Sequence, residues 1–162
     1  MVHYTLAQYR SDVLDIFLLL RSETASIIVR TMDERITVLL VEDDPMLTEL
    51  YQTKLEMDGY DVHVVTDGEA GIASAQSVLP QLILLDIMLP KLNGFEVLRV
   101  LKQDPNTAGI PVIVVTNLGG AKADTDKKLA LSLGAEEFLV KTFHLPDDIV
   151  GKIQTVLAKH TA

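Results

Sequence analysis

The sequence predicts an open α/β fold in which helices cover both faces of a five-stranded parallel sheet. Three observations predict it. From residue 36 onward, short β-branched apolar runs alternate with longer stretches of helical periodicity. Three of the strand runs, ITVLLV, LILLD and PVIVV, are almost wholly apolar, as strands buried on both faces are. Gly, Pro and Asp punctuate most junctions between runs. Right-handed crossovers between such strands give a doubly wound sheet.

The elements follow in order. Ile36–Val41 is the first strand. Pro45–Asp58 is the first helix, with Met46, Leu47, Leu50, Tyr51 and Leu55 at helical spacing and Gly59 as its stop. Asp61–Val65 is the second strand, and Asp67–Val78 the second helix with Asp67 at its N-cap. Leu82–Asp86 is the third strand, Asn93–Gln103 the third helix and Pro111–Thr116 the fourth strand. Ala121–Leu133 is the fourth helix, ended by Gly134, and Glu136–Val140 is the fifth strand. Pro146–Lys159 is the last helix, with Pro146 in the first turn, where a missing N–H does no harm. No internal repeat or low-complexity stretch interrupts the series.

A chain of 162 residues, 48% apolar and 23% charged, fits one globular domain that needs no staple. The absence of cysteine excludes disulfides, thiolate metal sites and thiol catalysis, and suits a cytoplasmic location. A net charge of −9 repels phosphate backbones and anionic lipid, so neither nucleic acid nor membrane is an expected partner. The apolar run Val13–Leu20 is broken by Asp15 and is too short to span a bilayer, and it lacks the basic start of a signal peptide.

Residues 1–34 read as an N-terminal extension and residues 35–160 as the domain. Around Leu6–Leu20 the extension could form a partner-binding or dimerising helix. The preferred reading is that residues 1–31 lie upstream of a natural start at Met32, a few residues before the first strand.

Sites in an open parallel sheet form at the carboxyl ends of the strands. There the first strand ends in Glu42, Asp43 and Asp44, the third in Asp86, the fourth in Thr116 and Asn117, and the fifth in Lys141. Carboxylates crowded at one rim repel one another and call for a cation or for raised pKa values. Hard oxygen donors at this density suit Mg²⁺, which bridges carboxylate and phosphoryl oxygens. A carboxylate beside such an ion can attack phosphorus and form an acyl phosphate. The metal, a lysine and a hydroxyl would stabilise the transition-state charge.

The motifs VLLVEDDP, LILLDIMLPKLNGFEVL, PVIVVTN and GAEEFLVK resemble the receiver domain of bacterial two-component response regulators, including the single-domain chemotaxis-regulator type. The resemblance runs from about Ile36 to Lys159. It implies a flavodoxin-like sheet of strand order 2-1-3-4-5 with five helices. It implies Asp86 as phosphoacceptor, Asp43 as a direct Mg²⁺ ligand, Glu42 acting mainly through water and the Met88 backbone carbonyl as a further ligand. Thr116 matches the switch hydroxyl, Lys141 the family's lysine, Phe138 the aromatic switch position, and Pro90 and Gly94 the turn after the phosphoacceptor. Phe138 could equally be plain core filling. The implied partners are a sensor histidine kinase or histidine phosphotransfer protein as donor and another protein as receiver of the output. The expected protein is a signalling module, not an enzyme, and a stand-alone one, since the sequence stops at Ala162.

Several positions depart from the pattern or fall outside it. Asp44 stands one place beyond the acidic pair and, ahead of Pro45, reads as a helix cap. Thr142 follows Lys141 where the family has proline, often cis; a cis bond before threonine would cost ~3 kcal/mol, so the bond is either trans with a shifted loop or strained. The Asn117–Asp124 stretch is about three residues longer than in the chemotaxis type. Met88 and Leu118 fall where family members flank the approach of hydrolytic water, and neither can orient one. His63 and His144 are assigned no metal role, and Lys127–Lys128 reads as a solvated helix face. The alternative function is a Mg²⁺-dependent phosphatase of the haloacid-dehalogenase type. Met88 stands where that family needs a second Asp. A nucleotide binder would need a Gly/Ser/Thr-rich loop after the first strand, where Glu42-Asp43-Asp44 stands instead.

Overall fold

Side-chain alternation along the strands decides the layers. The computed structural model describes residues 35–117 and 122–160. In β1 (Thr37–Val41), β3 (Leu82–Leu85) and β4 (Val112–Thr116), successive residues point to opposite faces. Val38, Leu40, Leu82, Leu84, Ile113 and Val115 share one face. Leu39, Val41, Ile83, Leu85, Val112 and Val114 share the other. Both faces are apolar because both are covered.

The first face packs on Tyr51 and Leu55 of α1 (Pro45–Met57) and on Ile149, Ile153 and Val156 of α5 (Pro146–His160). The second packs on Ala75 of α2 (Gly68–Val78), on Val97, Leu98 and Leu101 of α3 (Gly94–Gln103) and on Ala130 of α4 (Ala123–Ser132). The edges are β2 (Asp61–Val65) and β5 (Glu137–Val140), and every pairing is parallel, in the order β2-β1-β3-β4-β5. This is the five-stranded, doubly wound arrangement that the sequence predicts. The edge strand β2 leaves Asp61 and His63 exposed, which explains why its sequence is less apolar than the central three.

Side-chain caps set the helix starts. Asp44 accepts the backbone N–H groups of Met46 and Leu47 at 2.8 and 3.1 Å, so it caps α1 as expected. Asp67 accepts from Ala70 at 2.8 Å and starts α2. Asn93 and Glu96 form a reciprocal capping box at the start of α3. Each such cap contributes about 1 kcal/mol. Element ends differ from the sequence expectation by a residue or two, as frayed ends do. Thus β1 starts at Thr37 rather than Ile36, β3 stops at Leu85 with Asp86 just beyond, and α5 extends to His160. Helix α4 runs over Ala123–Ser132 rather than 121–133. The expected extension, residues 1–34, and Leu118 lie outside the described residues. Among the described residues no helix is long and apolar enough to cross a membrane.

The turn from β3 into α3 has no room for a side chain at Gly94. A Cβ there would sit 2.2 Å from the Asp86 carbonyl oxygen and 2.7 Å from the Ile87 Cα. Gly151, exposed within α5, would meet nothing within 4 Å. Gly94→Ala is therefore expected to destabilise by at least about 2 kcal/mol through overpacking against backbone. Gly151→Ala is expected to stabilise by about 0.5–1 kcal/mol through reduced unfolded-state entropy. Urea unfolding of the two variants checks both signs. Equal stabilities would refute the reading of the β3–α3 turn.

Candidate functional site

The parallel ladder carries its register to the sheet's carboxyl rim. Beyond β1, the Glu42 N–H bonds the Val65 carbonyl at 3.0 Å; beyond β3, the Asp86 N–H bonds the Val41 carbonyl at 3.0 Å. Two acidic residues are thereby fixed side by side by backbone, at the point where strand order reverses. Lys141 follows β5 at the start of a 3₁₀ turn, Lys141–Phe143, and reaches back over the rim. Its Nζ bonds Asp86 Oδ2 at 2.6 Å and Glu42 Oε2 at 2.5 Å. All three side chains are buried, each at most 5% exposed.

This trio is electrostatically coupled. Burial pushes the Lys141 ammonium toward neutrality, but its bonds to Asp86 and Glu42 outweigh that and raise its pKa above the usual lysine range. Burial lifts the Glu42 carboxyl above its ordinary value, against the pull of Lys141. Tyr51, buried in α1 close by, is raised mainly by burial.

Oxygens of Glu42, Asp43 and Asp86 all lie within 4.8 Å of one another. Three carboxylates against one ammonium leave a formal charge of −2 at the rim. The cluster can hold a metal ion, and its all-oxygen donor set suits a hard cation such as Mg²⁺. Asp43 is exposed and can receive it from solvent, whereas Glu42 and Asp86 are nearly closed off.

The other expected site residues divide. Met88 donates its backbone N–H to Asp86 Oδ1 at 3.0 Å, so the residue borders the carboxylate while its side chain faces solvent. Thr116 ends β4 fully buried, beside Val140 in the ladder. Phe138 lies two positions earlier in the register, opposite Val114, inside the core of the α2–α4 face. It is not among the groups at the carboxylates. Pro90 and Gly94 both shape the turn beyond Asp86, where the Pro90 carbonyl accepts the Leu92 N–H at 2.8 Å and Gly94 donates to Ile87 at 3.0 Å. The Lys141–Thr142 bond is trans, as are all peptide bonds among the described residues.

Sequence reading missed two features. Lys91 adopts φ +66° and pairs with Asp67 at 2.7 Å, tying the loop after Asp86 to the start of α2. His144, given no role, places Nδ1 3.0 Å from the Val140 carbonyl. Neither contact has a local sequence signature, because both join residues through loop geometry. His63 lies 3.6 Å from Asp61 on the exposed edge strand, and Lys127 and Lys128 are solvated as expected.

Residues 38–154 match the model of the response regulator receiver domain. The chain is 38% identical over 122 residues to the DNA-binding dual master transcriptional regulator RpaA of Synechocystis, covering 75% of this chain and 49% of that protein. It is 37% identical over 131 residues to the DNA-binding response regulator MtrA of Mycolicibacterium smegmatis, covering 80% of this chain and 53% of that protein. The chain thus spans about half the length of the curated relatives it matches. Among solved structures it resembles a CheY-like receiver domain protein from Methanospirillum hungatei, with TM-score 0.72, 26% identity, and 79% and 98% of the two chains covered. A response regulator from Chloroflexus aurantiacus gives TM-score 0.71 at 26% identity, with 77% and 99% covered. With the sheet order, the acidic rim and the lysine beside it, these matches lead to one assignment: the chain belongs to the response regulator receiver domain family.

Proposed function

We propose that this receiver accepts a phosphoryl group on Asp86 from a histidine kinase or histidine phosphotransfer protein and signals to a protein partner. One observation supports this above the others: Lys141 bonds Asp86 and Glu42 at once, within an oxygen cluster of divalent-cation size. Asp43 and Asp86 would hold Mg²⁺ directly, with Glu42 acting through water and the Met88 carbonyl completing the protein ligands. A bound Mg²⁺ would neutralise charge on the phosphoryl oxygens. A carboxylate oxygen of Asp86 attacks phosphorus; the bond from phosphorus to the donor imidazole nitrogen breaks, and its electron pair leaves with that nitrogen. The Lys141 ammonium, released from Asp86 Oδ2, turns to the new phosphoryl oxygens, and the Thr116 hydroxyl acts on the same group.

In this reading Thr116 and Phe138 relay the charge change toward α4, β5 and α5. Phosphatase chemistry is disfavoured because Met88 puts no acid two residues after Asp86. The described domain carries excess acid, so we assign it no direct contact with nucleic acid, and a cytoplasmic location fits its lack of cysteine. DNA binding is named for two relatives, each about twice as long as the stretch matched here.

Acetyl phosphate with Mg²⁺ is expected to label the protein on Asp86, and Asp86→Asn to abolish hydroxylamine-sensitive label. Full labelling of that variant, or labelling after chelation of divalent cations, would exclude the mechanism. Removing residues 1–31 is expected to leave the melting temperature and this labelling intact, because β1 to α5 form a complete fold from residue 36. Loss of either would assign those residues to the domain.

The phosphorylated state is expected to be long-lived. Met88 and Leu118 cannot position a hydrolytic water, and loss of such a group removes on the order of 100-fold of rate. Decay of label from purified protein, measured beside a Met88→Asn, Leu118→Glu double variant, checks this. Decay within seconds, or no acceleration in the double variant, would defeat it.

A further inference from the structure

Lys141 can bridge two buried carboxylates only if the turn that carries its Cα is fixed. Apart from the Lys141 side chain itself, packing does little to fix that turn, since Thr142 and Phe143 are exposed. No residue of Lys141–Phe143 is buried as a whole, and Phe143 is 77% exposed. There is no proline in it to restrict the backbone. The backbone bond closing it, from the His144 N–H to the Lys141 carbonyl, measures 3.4 Å, longer than the roughly 3.2 Å limit of a strong bond. The shorter closure is made by a side chain. His144 Nδ1 lies 3.0 Å from the carbonyl of Val140, the last residue of β5. A carbonyl only accepts, so Nδ1 carries the proton. The ring therefore spans the turn from its far side to the strand end, and Lys141 is the first residue inside that span.

We propose that His144 is a positioning residue for phosphoryl acceptance: its ring N–H clamps the β5–α5 turn to Val140 and so holds the Lys141 ammonium over Asp86 and Glu42. This rests on the reading of Asp86 as phosphoacceptor. The clamp acts through Lys141 and touches no reacting atom. Its loss would let the ammonium spend part of its time off the carboxylates, where each displacement of a charge-stabilising group slows the step.

Two variants separate donor from bulk. His144→Phe keeps an aromatic ring and removes the donor; His144→Asn keeps an N–H donor near the position of Nδ1 and removes the ring. Two readouts apply to the full chain. One is the rate of Asp86 labelling at saturating acetyl phosphate and Mg²⁺. The other is the Lys141 ammonium cross-peak in a proton–nitrogen spectrum of metal-free protein labelled with nitrogen-15 lysine, assigned by its loss in Lys141→Met. His144→Phe is expected to label roughly 3- to 10-fold more slowly, the scale of one net hydrogen bond, and to broaden or lose the cross-peak. His144→Asn is expected to stay within about twofold of the parent rate and to keep the cross-peak. An unaltered rate and cross-peak in His144→Phe would overturn the proposal, as would equal impairment in His144→Asn, which also decides the matter if the Phe variant does not fold. If the parent protein does not label while the cross-peak responds as described, the clamp stands and the phosphoacceptor reading falls.

Discussion

The site depends on one electrostatic constraint: carboxylates gathered at a single sheet rim must be matched by positive charge. Lys141 supplies half of the answer, bonding Glu42 and Asp86 inside a closed environment. Removing one member of such a buried set typically costs about 3–5 kcal/mol, because the others are left charged and desolvated. The same arrangement is incomplete by design of its charges, since the ammonium cannot balance all three acids. That imbalance favours a small hard cation at the rim, as the proposed phosphoryl acceptance requires.

Everything else in the fold serves to hold that rim. Glu42 and Asp86 are fixed by backbone ladder bonds, so their spacing does not depend on rotamer choice at neighbouring positions. The central strands are apolar because helices cover both faces, and the polar residues are displaced to the strand ends. Gly94 lets the chain turn back within van der Waals range of the Asp86 carbonyl, and Lys91 spends backbone strain at positive φ while its side chain ties that loop to Asp67.

Much of this was legible in the sequence because its causes are local. Alternation of β-branched runs with helical spacing gave the element order, and a parallel sheet dictates which ends converge, so Glu42, Asp43, Asp86, Thr116 and Lys141 could be grouped without coordinates. Asp44 was separable from the clustered acids because Asp before Pro is a capping signal, and the bonds to Met46 and Leu47 bear that out. What the sequence hid depends on the path of loops. The trans bond after Lys141, the ring of His144 on Val140 and the Lys91–Asp67 tie follow from three-dimensional closure of turns. Phe138 remained ambiguous for a different reason: a buried aromatic on an edge strand has the same sequence signature whether it fills the core or moves.

The strict division of side chains between the two faces of the sheet has a consequence for how such a chain can change over time. No side chain of the central strands belongs to both apolar clusters, so the two are joined only through shared backbone. Substitutions on opposite faces then combine nearly additively. The α1–α5 side and the α2–α4 side can each drift in sequence and be refitted to new neighbours without repacking the other. The acidic rim, anchored in the backbone common to both, constrains the few side chains that border it, such as Tyr51, more than the rest of either side.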